Sequence, residues 1–233
     1  YDLQHDWSQK TPEFEGGIAK VLAASDAPEE MAAYLDSVRA PNGRQPLRYY
    51  PGSPVVARRF LRPHDRMVLS ELGRDDCGSL GHYFHGDPQV HVHNMDGYQA
   101  LKAFLPPPER RGLVLIDSSF DRAHEFKRLA EALVEAHERW ATGIFALWYP
   151  LMAAGDMERF ERRIAATGIK KVLRLELSLL PDWWNEGLRG CAMLVVNPPW
   201  GFDDEAKAML PWIWSHLAED GQGKWDVRWL VPE

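Results

Sequence analysis

The alternation of short apolar runs with amphipathic segments after residue 53 limits this chain to few folds. The runs that predict strands lie at 67–71, 90–93, 112–117, 144–149, 171–177, 191–196 and 225–231. The segments with helical spacing lie at 53–61, 96–104, 122–140, 156–166 and 203–217. This alternation is typical of a doubly wound α/β sheet, for which 233 residues are enough.

The first 45 residues have a different character from the rest. Helix-forming residues occupy 13–24 and 28–40, and 40–44 has the composition of a turn. Because no strand signal occurs here, we predict a helical subdomain at 1–45 and an α/β domain at 46–233. Ser53 and Pro54 then predict a helix start, with Ser53 as the N-cap.

Composition excludes several classes of protein. Cys77 and Cys191 are the two cysteines, so neither a disulfide framework nor a CxxC metal site is expected. The longest apolar stretch, 144–154, is too short to cross a bilayer, and no signal peptide is visible. We therefore expect a cytoplasmic protein. The net charge of −7 is unusual for a nucleic-acid binder, although arginines cluster at 58–66.

Acidic residues follow three successive predicted strands. They are Glu71, Asp96 and Asp117. Because ligands of open α/β sheets bind beyond the carboxyl ends of the strands, these positions predict a site for a nucleoside-containing cofactor. The alternative for Asp96 and Asp117 is that each caps the helix that follows it.

The residues after the third of these strands resemble the D-P-P-Y signature of amino-methyltransferases. In Asp117-Ser118-Ser119-Phe120, the Asp117 carboxylate and the Ser118 carbonyl can accept the two N–H bonds of an adenine amine. The Phe120 ring can stack on the flipped-out base. Two serines restrain this turn less than two prolines, so loss of activity is the competing outcome.

Other motifs favour structural interpretations. The string Asn197-Pro-Pro-Trp200 matches the signature better, but it follows a late strand, so we interpret it as a rigid turn. His91 and His93 share one face of a strand and lack further metal ligands in the pattern. We interpret the tryptophans at 183–184 and 212–214 as packing residues rather than platforms for bases.

Several ordered segments together resemble one family over essentially the whole chain. They are 47–54, Glu71, Asp96-Gly97, the strand entering Asp117, 141–150, 166–169, 197–200 and 231–233. The family is RlmJ, the bacterial adenine-N6 methyltransferases of large-subunit (23S) ribosomal RNA. The resemblance implies a Rossmann-like fold, S-adenosylmethionine as cofactor and 23S ribosomal RNA as partner. It places Ser53, Glu71, Asp96, Gly97 and Asp117 at the cofactor, and makes Asp117 the catalytic acid.

The resemblance also implies features beyond these residues. The family begins with a further segment, containing its first strand and a glycine-rich loop, that this sequence lacks. We expect a monomer that needs neither a metal nor a membrane.

A non-catalytic nucleic-acid-binding protein on the same scaffold, linked to the use of external DNA, is the alternative. A nicotinamide-dependent oxidoreductase is disfavoured because no G-x-G-x-x-G segment occurs.

Overall fold

The computed structural model describes residues 1–5, 10, 13–120, 124–152, 154–184 and 186–233. The chain forms two compact units, Tyr1–Ala100 and Leu101–Glu233. Both units contain parallel strands and helices, which confirms the predicted α/β class. The predicted domain division at residue 45 stays a prediction.

The first unit combines short helices with a two-stranded parallel sheet. Its elements are α1 (Glu13–Gly16), α2 (Ile18–Ala23), a 3-10 turn (Glu29–Met31), α3 (Ala32–Arg39), α4 (Ser53–Phe60), β1 (Met67–Glu71), α5 (Arg74–Tyr83) and β2 (Val90–Asn94). A further helix, α6 (Gly97–Phe104), begins in this unit and ends in the next. In the sheet, Met67 pairs with Val90 and Glu71 with Asn94.

Two local features of the first unit differ from the sequence-based expectations. The helix α5 is not predicted, because Gly78 and Gly81 give it low helix propensity. It forms as the connection that two parallel strands require between them. The prediction of Ser53 as an N-cap is wrong: Gly52 takes that position and Ser53 is the first helical residue, without a capping hydrogen bond.

The second unit is a five-stranded mixed sheet with helices. Its elements are β3 (Leu113–Asp117), α7 (Glu125–Arg139), β4 (Ile144–Leu151), α8 (Ala154–Ala165), β5 (Val172–Ser178), β6 (Gly190–Val196), α9 (Phe202–Leu217), a 3-10 turn (Glu219–Gly221) and β7 (Lys224–Val231). The strand order is β3-β4-β6-β5-β7. The β3–β4 pair is parallel, and the other three pairs are antiparallel.

The core of the second unit lies around β4. Phe145, Leu147, Tyr149 and Leu151 are fully buried, because β4 has strands on both sides and helices over the sheet. Burial on both faces explains why β4 reads as a continuous apolar run. The predicted helix at 122–140 is confirmed over Glu125–Arg139, and its first two predicted residues lie outside the described ranges.

A network of buried charges joins three strands and one helix of this unit. Arg174 on β5 is 7% exposed and donates to Glu161 on α8 at 2.6 Å and to Asp226 on β7 at 3.2 Å. It also pairs with Glu176. The Tyr149 hydroxyl donates to Glu161 at 2.9 Å, which brings β4 into the network. One guanidinium therefore compensates carboxylates from three elements.

We predict that Arg174→Ala lowers the free energy of unfolding by about 3–5 kcal/mol, because Glu161 and Glu176 stay buried without their main partner. Urea unfolding measures this change. The matched control is Arg228→Ala, which removes an arginine that contacts Glu161 at 3.3 Å but is 55% exposed. We expect the control to lose less than about 1 kcal/mol. Equal losses for the two variants would contradict a central role for Arg174.

Candidate functional site

The ends of β1 and β2 bring two predicted site residues to one edge of the two-stranded sheet. Glu71 ends β1, opposite Asn94, and Asp96 follows two residues later. The Asn94 side chain donates to the Glu71 and Leu72 carbonyls at 2.9 and 3.1 Å. Ser70 Oγ donates to the Met95 carbonyl at 2.8 Å. These bonds hold the two strand ends together.

The carboxylates at this edge have local partners as well. Glu71 Oε1 accepts the Gly73 N–H at 2.8 Å. Asp96 Oδ1 accepts the Tyr98 N–H at 2.8 Å, as a residue that caps a helix does. The capping interpretation therefore holds for Asp96.

Ser53 and Gly97 each occupy the first residue of a helix. Ser53 begins α4 and Gly97 begins α6, both eight residues long. The first N–H groups of a helix lack partners within the helix and favour negative charge or polar oxygens. Among the described residues, no hydrogen bond joins Ser53 to the ends of β1 or β2, and the place of Ser53 at the cofactor stays a prediction.

Asp117 is the last residue of β3 and pairs with Trp148 of β4. It does not cap the next helix, because α7 begins eight residues later with His124 before it. The Asp117 carboxyl is open to solvent, and nearby protein atoms remove enough water to raise its pKa above the usual value. A carboxylate that accepts no hydrogen bond from the described residues keeps its acceptor capacity for a ligand.

The first turn of α7 restrains the residues after Asp117 at two points. The Ser118 hydroxyl donates a hydrogen bond to Glu125, which is 5% exposed and also contacts Arg128 at 3.4 Å. The Phe120 ring packs on Phe126, with centroids 4.9 Å apart. Phe120 has a φ of +54°, so these contacts hold a conformation that non-glycine residues seldom adopt.

Sequence reasoning missed four residues around Asp117. The Trp148 ring lies edge-on to the Phe120 ring, with centroids 6.1 Å apart. The negative charge of Asp117 acts on the Cys191 thiol. Burial is the main reason that the pKa of Cys191 is raised; Trp148 lowers it, and Asp117 raises it further. Glu125 and Phe126 complete the set. The contacts of Glu125 and Phe126 with residues 118 and 120 are tertiary, so no spacing in the sequence signals them.

The string Asn197-Pro-Pro-Trp200 and Asp117 lie at opposite ends of the strands of the five-stranded sheet. Val196 pairs with Phe145 near the start of β4, whereas Asp117 pairs with Trp148 near its end. The Asn197 side chain is used within the protein, since it donates to the Ala141 and Gly143 carbonyls at 2.9 Å each. This arrangement agrees with the interpretation of the motif as a structural turn.

In the part of the chain that the structure describes, no group of three or more His, Cys, Asp or Glu side chains is placed to hold a metal ion. No helix there is long and apolar enough to cross a membrane.

Comparisons with known proteins agree on one family. Residues 1–231 match the family described as "Ribosomal RNA large subunit methyltransferase D, RlmJ". The chain is 40% identical over 233 residues to "Ribosomal RNA large subunit methyltransferase J" of Escherichia coli and 39% identical over 234 residues to that of Haemophilus influenzae. Each alignment covers 100% of this chain and 83% of the relative.

A solved structure is similar to the fold as a whole. It is the crystal structure of a Legionella pneumophila protein of the family DUF519, with a TM-score of 0.91 and 33% identity. The match covers 98% of this chain and 84% of that chain.

We predict that Glu125→Ala destabilises the protein by about 1.5–3 kcal/mol, because Ser118 and Arg128 lose a charged partner. Amide exchange at residues 118–120 should become faster, as measured by hydrogen exchange with mass spectrometry. The control is Glu131→Ala on the same helix, whose side chain is 58% exposed. We expect the control to change stability by less than about 0.5 kcal/mol. Unchanged exchange in Glu125→Ala would show that the turn does not depend on this contact.

We predict that Asp117→Asn is at least as stable as the parent protein at neutral pH. The pKa of Asp117 is raised in the folded state, so its charged form costs stability above that pKa, and the cost disappears as the pH falls. The stability advantage of Asp117→Asn should therefore shrink as the pH falls from neutral toward the ordinary pKa of an aspartate, about 4. Thermal unfolding across this range measures it.

Asp182→Asn serves as a control of opposite sign. Hydrogen bonds from Lys224 and Arg189 lower the pKa of Asp182, so its charged form stabilises the fold at neutral pH. We expect Asp182→Asn to be less stable than the parent protein at neutral pH. A destabilised Asp117→Asn variant at neutral pH would contradict the assignment of a functional carboxylate held at a cost in stability.

Proposed function

Because the chain belongs to the RlmJ family of ribosomal RNA large-subunit methyltransferases, we propose that it methylates N6 of an adenine in large-subunit (23S) ribosomal RNA. S-adenosylmethionine is the proposed cofactor and supplies an electrophilic methyl group when bound. The observation that carries the proposal is the arrangement of Asp117, Ser118 and Phe120 directly after β3.

Asp117 and Ser118 have the proposed role of orienting the adenine amine. The lone pair of this nitrogen is delocalised into the base, so the free amine is a poor nucleophile. The Asp117 carboxylate accepts one N–H and the Ser118 carbonyl accepts the other, which directs the lone pair out of the plane of the ring. The new N–C bond would form as the methyl–sulfur bond of the cofactor breaks. The Asp117 carboxylate would stabilise the positive charge that develops on nitrogen until that nitrogen releases a proton.

Phe120 has the proposed role of stacking on the target base. A base that leaves its helix loses stacking with its neighbours, and an aromatic ring replaces part of that interaction. The contact of Phe120 with Phe126 holds the ring in place before the base arrives. The non-catalytic alternative is motivated in part by the two serines that replace the prolines of the signature. The Ser118–Glu125 hydrogen bond restrains this turn, so the serines are a weaker argument against catalysis.

Residues of the first unit suit the polar groups of a nucleoside cofactor. The hydroxyls of a ribose donate hydrogen bonds, and the Glu71 carboxylate retains an oxygen that accepts none from the described residues. Ser53, Asp96 and Gly97 are the other proposed cofactor residues in this unit. For Asp117, the role toward the cofactor that the resemblance implies stays a prediction beside its proposed catalytic role.

We predict that Asp117→Ala reduces methyl transfer by at least about 10²–10³-fold, because the reacting amine loses a charged acceptor. The assay incubates the protein with labelled S-adenosylmethionine and unmodified large-subunit RNA transcribed in vitro. Mass spectrometry of the digested RNA then detects N6-methyladenosine. The control is Asp204→Ala, which changes an acid in the first turn of α9 whose side chain is 82% exposed, and which should leave turnover unchanged.

Binding of S-adenosylhomocysteine, measured by calorimetry, separates the proposed function from its alternative. Methylation by the parent protein together with loss in Asp117→Ala supports the proposed function and site. Full turnover in Asp117→Ala would show that the site is wrong. RNA binding by the parent protein without affinity for S-adenosylhomocysteine would favour the non-catalytic alternative.

A further inference from the structure

The described residues of the connection between β5 and β6, 179–184 and 186–189, belong to a hairpin at the Asp117 edge of the five-stranded sheet. Asp117 pairs with Trp148, and β4 continues for three residues to Leu151, which pairs with Gly190 at the end of the hairpin. The base of the hairpin is thus about 10 Å beyond Asp117 along the strands and about 10 Å to the side. A single strand of RNA covers this distance in a few nucleotides.

A second observation places the hairpin close to Asp117. Cys191 directly follows Gly190, and its thiol is near enough to Asp117 for the carboxylate charge to affect it. Trp148 contributes to the environment of the same thiol and packs edge-on to Phe120. The hairpin therefore continues the surface around Asp117 rather than forming a remote feature.

The hairpin exposes large apolar side chains. Trp183 is 77% exposed and Leu188 is 57% exposed, and Met152, just after β4, is 37% exposed. Trp183 is therefore not a core residue, although its ring lies against that of Trp184, with centroids 6.3 Å apart. The neighbouring Trp184 is fixed, since its indole N–H donates to the Glu186 carbonyl at 3.0 Å.

The base of the hairpin is firmly held. Asp182 accepts a hydrogen bond from Lys224 of β7 at 2.8 Å and pairs with Arg189, which is 8% exposed. The Arg189 N–H donates to the Leu151 carbonyl at 3.0 Å, and the Ser178 hydroxyl donates to the Leu180 carbonyl at 2.7 Å. An exposed ring on a restrained support loses little conformational freedom when it binds a partner.

We propose that the hairpin is an RNA-contacting surface on which Trp183 stacks with a nucleotide that flanks the target adenine. The inference rests on the proposed function. Extraction of the target base leaves its neighbours without their stacking partner, and an indole ring offers a replacement that accepts any base. The two acids of the hairpin, Asp182 and Glu186, are matched in number by Arg189 and by Lys224 of β7, and Asp182 pairs with both basic side chains. This part of the surface is therefore close to neutral and does not repel phosphate strongly.

The test compares Trp183→Ala with Trp200→Ala. Trp200 is exposed like Trp183, but it follows β6 at the end of the strands opposite to Asp117. In the methylation assay with protein-free large-subunit RNA, Trp183→Ala should raise KM for RNA about tenfold and leave kcat within about twofold. Trp183→Phe should recover part of the loss because it retains an aromatic face. Trp200→Ala should leave KM unchanged.

RNA affinity and stability provide readouts that do not depend on turnover. Fluorescence anisotropy with a labelled single-stranded RNA should show the same weakening in Trp183→Ala, while the urea midpoint and the affinity for S-adenosylhomocysteine stay unchanged. A parent protein that methylates RNA, with equal KM and RNA affinity in Trp183→Ala, overturns the hairpin proposal alone. A fall in kcat without a change in KM overturns it too.

The failure of the proposed function looks different. A parent protein that does not methylate RNA, but binds it through Trp183, overturns the proposed function and supports the RNA-contacting hairpin. Equal weakening by Trp183→Ala and Trp200→Ala overturns the hairpin proposal, since general exposure of tryptophan would then explain both effects.

Discussion

The second unit depends on the hydrogen bonds and ion pairs that the buried guanidinium of Arg174 makes. The guanidinium lies where β5, β7 and α8 meet, and the Tyr149 hydroxyl extends the network to β4 through Glu161. Buried charges need well-placed partners, so a slip of β5 by one residue would leave carboxylates without compensation. The network thus favours a single register of the strands, and the edge that holds Asp117 inherits that register.

Contacts between rings carry this order from the network to the candidate site. Tyr149 packs against Phe126 at 6.1 Å, and Phe126 packs against Phe120 at 4.9 Å. Glu125, the residue before Phe126, binds Ser118. Two neighbouring residues of α7 therefore fix the turn after β3, with one side supported by the aromatic core and the other by a buried carboxylate. Two prolines are one way to stiffen a turn, and contacts of this kind are another.

Much of this architecture could be predicted from the sequence, because apolar periodicity locates β3 to β7 and the helices between them. The position of Asp117 follows from the end of β3. Local patterns did not reveal α5, because its glycines lower its helix propensity. The helix forms because two parallel strands need a connection of this length between them. Local patterns also did not reveal Glu125 or the exposure of Trp183. The roles of those residues depend on which side chains the folded sheet brings together, and spacing along the chain does not encode that.

The strand order has a consequence for how the protein is made. β5 is synthesised before β6, yet β6 lies between β4 and β5 in the sheet. During translation, β5 has no neighbour to pair with until β6 has left the ribosome, and non-local pairing of this kind is slow. Cys191, which lies beside Asp117, also belongs to β6. A nascent chain that ends before residue 190 thus carries the aspartate without the surface beside it, so the protein gains its site only late in its own synthesis.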